Sequence, residues 1–181
     1  PRGRFTCNSL VPMTNDNDTA APSTIAHSIH GSGPTLVLIH GICHSRHAWD
    51  DVLPGLVDHF RVVAIDLPGH GRSDGESSGS IEAYARAVKE TLENNGIGPT
   101  YIAGHSMGGA VAMQMAISYP SLLKGLVLIG TGARLKVYPE ILEGILKDKE
   151  KTARMIVDTA FSAAMPAALK QRVFAEYMKN D

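Results

Sequence analysis

Thr100-Tyr101-Ile102-Ala103-Gly104-His105-Ser106-Met107-Gly108-Gly109-Ala110-Val111-Ala112-Met113 is the stretch whose reading decides the fold. An apolar run of strand length, Thr100 to Gly104, leads into it. The residues from Met107 to Tyr119 are apolar nearly all round and read as a buried helix. Between strand and helix, Gly104-His105-Ser106-Met107-Gly108-Gly109 matches the pattern G-x-S-x-G in its proper setting. A turn that sharp holds the serine in a strained backbone conformation, at a cost of about 1–3 kcal/mol. A side chain at Gly104 or Gly108 is expected to collide with neighbouring backbone. The strain lifts the Ser106 hydroxyl clear of the sheet edge and sets it at a helix N-terminus, where developing negative charge is favoured. The chemistry that needs such a group is nucleophilic attack. The plainer reading, a glycine-rich turn with an ordinary serine, does not require both flanking elements.

Working outward, the same strand signal recurs. Thr35 to His40, Phe60 to Asp66 and Leu126 to Ile129 are further continuous apolar runs, as expected of strands covered on both faces of a parallel sheet. Ser23 to Ile29 alternates loosely and is a candidate strand before the turn Gly31-Ser32-Gly33-Pro34. Helical stretches lie between the runs. Residues 47 to 58 form a short one interrupted at Pro54, and Ser80 to Asn94 is amphipathic, with Ser80 as N-cap and Gly96 just past its end. Alternation of this kind predicts an α/β fold with a doubly wound, mostly parallel sheet. Beyond Thr131, residues 139 to 148, 150 to 163 and 167 to 179 read as three consecutive helices, with Pro139 and Pro166 near two of the starts. Helices without intervening strands do not extend a sheet. They predict a helical lid over the strand ends. The expected organisation is an irregular polar tail over 1–22, a core over 23–134 and the lid over 135–181.

Two loops at strand ends carry further signals. His40-Gly41-Ile42 directly follows a strand, and Gly41 lets the chain turn so that the Ile42 amide points into the site. The Met107 amide is the second expected donor. Two preset donors around a tetrahedral oxyanion are worth roughly 3 kcal/mol each by deletion. The His40 side chain is read as ordering this loop by hydrogen bonding. Asp66-Leu67-Pro68-Gly69-His70-Gly71-Arg72-Ser73 is a compact loop, in which Asp66 ties the turn and Arg72 and Ser73 anchor it.

Composition narrows the partners. A net charge of -1, with 17 basic and 18 acidic residues and no charge block, disfavours a nucleic-acid partner, which needs a basic face. No apolar run reaches the roughly 18 residues of a membrane span, and the first residues lack the apolar core of a signal peptide. Two cysteines, Cys7 and Cys43, make no disulfide framework, so a reducing cytoplasm is the expected compartment. Cys43 is read as packing. His40, His44 and His47 have ligand-like spacing, with Asp50 close by. A zinc site would have to compete with the turn to which that loop is committed, and none is expected.

His40-Gly41, Asp66 to Ser73 and Gly104 to Gly109, in this order, resemble the α/β-hydrolase superfamily, and more narrowly its esterase, C–C hydrolase and cofactor-free haloperoxidase-like branch. The resemblance is close over about Thr24 to Thr131 and loose over the lid. It implies a serine hydrolase acting through an acyl-enzyme on an ester or related carbonyl of a small, partly apolar substrate, with no metal or organic cofactor. Acyl transfer, C–C cleavage, haloperoxidase-like chemistry or a non-catalytic ligand-binding role on the same fold are the alternatives. Members with an aspartate nucleophile, such as haloalkane dehalogenases and epoxide hydrolases, are disfavoured by Ser106. Lid methionines Met155, Met165 and Met178 could line a pocket.

The resemblance also sets an order along the chain: serine, then acid, then histidine. The eight histidines are His27, His30, His40, His44, His47, His59, His70 and His105, and all precede Ser106. Ile129-Gly130-Thr131-Gly132-Ala133, where some relatives carry the acid, holds no carboxylate. Asp148, Glu150 and Asp158 read as solvated charges of the lid. The triad acid and histidine are therefore expected outside these residues. The chain opens on Pro1, with Met13 a candidate start, and stops inside a helical pattern, so it reads as part of a longer protein. The 181-residue chain alone is expected to lack triad-level turnover; ester hydrolysis by the purified chain that disappears in Ser106→Ala would overturn this.

Overall fold

The computed structural model describes residues 25–76, 79–134 and 139–179. The expected polar tail, Met13, Cys7 and the start of the 23–29 run lie outside the described residues. The chain divides near Leu135 into two compact units.

The first unit is built on five strands, β1 (His27–His30), β2 (Thr35–Ile39), β3 (Arg61–Ile65), β4 (Thr100–His105) and β5 (Leu123–Ile129). Their order across the sheet is β1-β3-β2-β4-β5. β1 is antiparallel to β3 and all the other pairs are parallel. The continuous apolar runs of β2 and β3 are buried on both faces because helices cover both. Alternate side chains divide between two cores. Val37, Ile39, Val63, Ile65 and Ile102 pack with Tyr84, Val88 and Leu92 of α2 (Ile81–Asn94) and with Val111, Ala112 and Met115 of α3 (Met107–Ser118). Leu36, Leu38, Val62, Ala64 and Ala103 pack with Trp49 and with Leu53 and Leu56 of α1 (Leu53–Leu56).

This order positions a site. From β2 the chain moves one way across the sheet to β3, then crosses back over β2 to β4. The segments leaving the carboxyl ends of β2 and β4 therefore diverge at a switch point, where open α/β sheets bind ligands. The register brings those ends level, with Ile39 opposite both Ile65 and Gly104, and His105 opposite Ile129.

Several boundaries differ from the sequence expectation. Residues 47 to 58 are not one interrupted helix but a 3-10 turn, Arg46–Trp49, followed by α1. Pro54 lies in the first turn of α1, where its missing N–H costs no hydrogen bond, so it helps to start a helix rather than breaking one. β5 begins at Leu123, three residues before the apolar run from Leu126, because Thr100 and Tyr101 of β4 offer partners to Leu123 and Gly125. α3 is not buried all round. Gly108, Gly109, Val111, Ala112 and Met115 face inward, whereas Ile117 is 76% exposed. Helical geometry turns only one stripe onto the sheet, whatever the composition of the other. Leu126 to Ile129 of β5, the last strand in the order, are 36–49% exposed. Ser80 caps α2, its hydroxyl accepting from the Ala83 amide at 3.1 Å, and Gly96 follows with φ 63°.

The second unit holds α4 (Pro139–Lys147), α5 (Lys149–Ala160) and α6 (Ala167–Lys179). Asp148 does not sit within a helix. It is the N-cap of α5 and accepts from the Lys151 amide at 3.0 Å. Glu150 pairs with Arg154 one turn on, and Asp158 lies 3.9 Å from Lys170. Among the described residues no helix is long and apolar enough to cross a membrane.

Ile102 has no exposed surface and Ile117 is largely open. Ile102→Ala is expected to cost about 2–5 kcal/mol. Ile117→Ala is expected to change stability by no more than about 0.5 kcal/mol. Urea unfolding of the two variants measures the contrast.

Candidate active site at the β4–α3 elbow

Ser106 has φ 52° and ψ -118°. Cys43 and Ser106 are the non-glycine positions with positive φ among the described residues. Hydrogen bonds on both sides hold the strained backbone. The Ser106 amide donates to the Ile129 carbonyl at 3.0 Å, while its own carbonyl accepts from Gly109 at 2.9 Å and Ala110 at 3.3 Å. Serine at the start of a helix ordinarily caps it through its hydroxyl. Here the Ser106 side chain makes no capping bond. The hydroxyl is left for another partner at the N-terminus of α3, where the amides of Met107 and Gly108 precede the first intrahelical bonds.

Close packing produces the elbow. A Cβ on Gly104 would overlap the Gly108 carbonyl oxygen and lie 2.7 Å from Gly109 Cα. A Cβ on Gly108 would overlap the carbonyl oxygens of Ile39 and His40 and lie 2.7 Å from the Ile39 carbonyl carbon. Removing those side chains lets the first turn of α3 press on β4 and on the end of β2. The His40-Gly41-Ile42 loop is thereby set against the elbow: a Cβ on Gly41 would lie 3.2 Å from Ser106 Cβ and 3.1 Å from His105 Nδ1. The His105 ring packs between Gly41 and Gly130, and burial lowers its pKa from the ordinary histidine value. Thr131 packs on Gly109.

The surrounding loops are tied by buried polar groups. His40 has no exposed surface. Its Nδ1–H donates to the Gly41 carbonyl at 2.7 Å, and its Nε2 accepts from the Leu67 amide at 3.0 Å. An amide can only donate, so Nε2 carries a lone pair and the ring is neutral. Burial, reinforced by His70, His44 and His105 nearby, holds the His40 pKa well below the ordinary value, against the opposing pull of the Gly41 carbonyl. Asp66 accepts from the Arg46 amide at 2.6 Å, from the Arg72 amide at 2.9 Å and from the Arg46 guanidinium. Ser73 Oγ donates to the Asp66 carbonyl at 2.5 Å and accepts from the Ala26 amide at 2.8 Å. Arg46 was not singled out from sequence, because it lies 20 residues from Asp66 and only the sheet brings them together. A cation in a loop that follows a glycine turn was the signal present. His70, whose loop the sequence places within reach of the site together with that of His44, is buried and packs between His40 and Tyr84.

The residues with ligand-like spacing do not form a metal-holding group among the described residues. His47 Nδ1 meets Asp50 at 3.0 Å on an exposed turn. Among the described residues no group of three or more His, Cys, Asp or Glu could hold a metal ion. Cys43 is buried, and the reading of it as a lone packing cysteine is corrected, because it is disulfide-bonded.

With this geometry in view, the chain belongs to the alpha/beta hydrolase fold family, whose pattern it matches over residues 34–173. An uncharacterised protein of Mycobacterium tuberculosis is 42% identical over 112 residues, covering 61% of this chain and 33% of the relative. The pimeloyl-[acyl-carrier protein] methyl ester esterase of Neisseria meningitidis is 38% identical over 108 residues, covering 60% of this chain and 41% of the relative. A hydrolase structure from Pseudomonas aeruginosa superposes with a TM-score of 0.77 at 28% identity, covering 88% of this chain and 64% of the other. Names among further relatives include a lipase and a haloperoxidase. The chain thus spans between a third and two-fifths of the curated relatives it matches.

Because Ser106 alone bears the positive φ of the elbow, Ser106→Gly is expected to stabilise the chain by about 1 kcal/mol, strain relief exceeding the added entropy of the unfolded state. Ser106→Ala keeps a Cβ and is expected to change stability by less than about 0.5 kcal/mol. Thermal unfolding of the pair reads the difference.

Proposed function

We propose that the protein is a serine hydrolase of ester-like substrates, with Ser106 as nucleophile and the amides of Ile42 and Met107 as oxyanion donors. The observation that carries this reading is the Ser106 backbone at φ 52°, with a side chain that does not cap α3 and the Gly41 loop packed against it. Attack by Ser106 Oγ on a carbonyl would place the new oxyanion at the mouth of the elbow. Donors fixed by glycine-dependent packing need no reorganisation at that moment. A histidine base would take the Ser106 proton and pass it to the leaving group, and water would then release the acid from the acyl-enzyme. His105 is held between Gly41 and Gly130, and His40 has both ring nitrogens engaged, so neither serves as that base. The base and its orienting acid are proposed to come from the part of the protein that corresponds to the remaining length of its relatives. Helices α4 to α6 are proposed as a lid that favours small, partly apolar substrates. Esterase names among the relatives support ester chemistry over the other reactions this fold hosts.

The test is labelling by a fluorophosphonate probe of the protein expressed at the length of its relatives. Labelling lost in Ser106→Ala, with turnover down by roughly 10⁴-fold or more, is the expected result. An unlabelled Ser106 in folded protein would favour a non-catalytic ligand-binding role instead.

A further inference from the structure

Two imidazoles beside the Gly41 loop are sealed from solvent. His40 and His70 are 0% and 2% exposed, with ring centroids 5.1 Å apart and planes tilted by 55°. Through its two ring nitrogens His40 joins two loops: Nδ1–H holds the Gly41 carbonyl, and Nε2 holds the Leu67 amide at the start of the loop after β3. Protonation of Nε2 would remove the lone pair that the Leu67 amide needs. His70 Nδ1 lies 3.1 Å from the Pro68 carbonyl, a contact that requires Nδ1–H, and its ring meets Tyr84 of α2 edge-on at 6.2 Å.

The ionisable surroundings leave little to offset a charge on the pair. His44 faces His40 from the Gly41 loop and His105 faces it from β4, while Asp66 faces His70 from the end of β3. The Asp66 carboxylate is already engaged by the Arg46 guanidinium and by the amides of Arg46 and Arg72. Burial lowers the pKa of both rings; the Pro68 carbonyl and Asp66 oppose it for His70, and His70 itself adds to it for His40. Two charges about 5 Å apart in a dry site would repel strongly.

We infer that His40 and His70 form an acid-sensitive latch, in which two neutral rings pin the Gly41 loop to the Asp66–Ser73 loop and proton uptake by the pair frees it. The direction follows from linkage. A released imidazole regains an ordinary pKa of about 6.5, whereas the latched one is lower. The latched state therefore binds fewer protons, and its population relative to the released state is undiminished above about pH 6.5. Below that it falls by up to about tenfold per pH unit for one ring and about a hundredfold for two, until the latched rings themselves titrate. The consequence for catalysis, loss of the Ile42 donor in acid, rests on the hydrolase reading. The latch itself does not.

Trp49 is the single tryptophan, buried in the 3-10 turn that follows the Gly41 loop and that Arg46 ties to Asp66. It reports release without any substrate. The 181-residue chain is titrated from about pH 7.5 to about pH 5 while tryptophan emission, far-UV circular dichroism and imidazole 15N resonances are recorded. The expected result is a red shift of Trp49 at one midpoint shared by His40 and His70, with about two protons taken up and the dichroism unchanged. His70→Asn keeps a donor for the Pro68 carbonyl and cannot be charged, so the transition should become about half as steep, with one proton. Flat Trp49 emission while the rings titrate, or loss of dichroism at the same midpoint, overturns the latch. If His70→Asn does not fold, the wild-type resonances still decide: a shared depressed midpoint supports it, and two separate ordinary midpoints refute it. An inert Ser106 in the probe experiment would sink the hydrolase reading and leave this result standing.

Discussion

The absence of a side chain at Gly108 is the constraint on which the rest of the site depends. Its α-carbon sits so close to the end of β2 that a methyl group would overlap the carbonyl oxygens of Ile39 and His40. Because β2 and β4 are neighbours in the sheet, the same contact that seats α3 also sets the His40-Gly41-Ile42 loop against Ser106. Gly104 plays the matching part from the β4 side, accommodating the backbone of Gly108 and Gly109. The strained φ of Ser106 is what remains when a strand must enter a helix within this clearance. Strain of this kind persists only where neighbouring structure over-determines it, and here the Ile129 carbonyl and the amides of Gly109 and Ala110 do so.

A second layer of polar groups keeps the loops in place around that contact. Asp66 gathers the Arg46 segment and the turn at Arg72, and its own carbonyl holds Ser73, which reaches back to Ala26 ahead of β1. His40 bridges the two loops with a single neutral ring. His40 and Asp66 are buried, so each is expensive to leave unpaired, and the network around them holds together as a unit. The architecture thus separates two jobs. Glycines permit the close approach, and buried hydrogen bonds make it the only arrangement in which the polar atoms are satisfied.

The apolar exposure of β5 and of Ile117 belongs to the same picture. β5 is hydrogen-bonded to β4 along one edge, and the runs that made β2 and β3 legible as covered strands read the same way in β5. Composition reports what a segment is suited to, whereas burial reports what lies against it.

Much of the fold was legible from local pattern. The apolar runs at Thr35, Arg61 and Thr100, the Ser80 cap and the G-x-S-x-G crossover depend on near neighbours in sequence, so their physics can be read along the chain. The shift of β5 to Leu123 could not be read that way, since it arises from pairing with Thr100. Nor could the role of Pro54, which turns on where a helix starts. By itself the sequence determined that residue 106 would bear a hydroxyl at a strand-to-helix crossover flanked by glycines. Only the tertiary structure decided that Arg46 would meet Asp66, that His70 would lie on His40, and that Gly41 would abut Ser106. Those contacts join residues 20 to 65 positions apart, and a parallel sheet with crossovers, not any local propensity, sets which distant loops become neighbours.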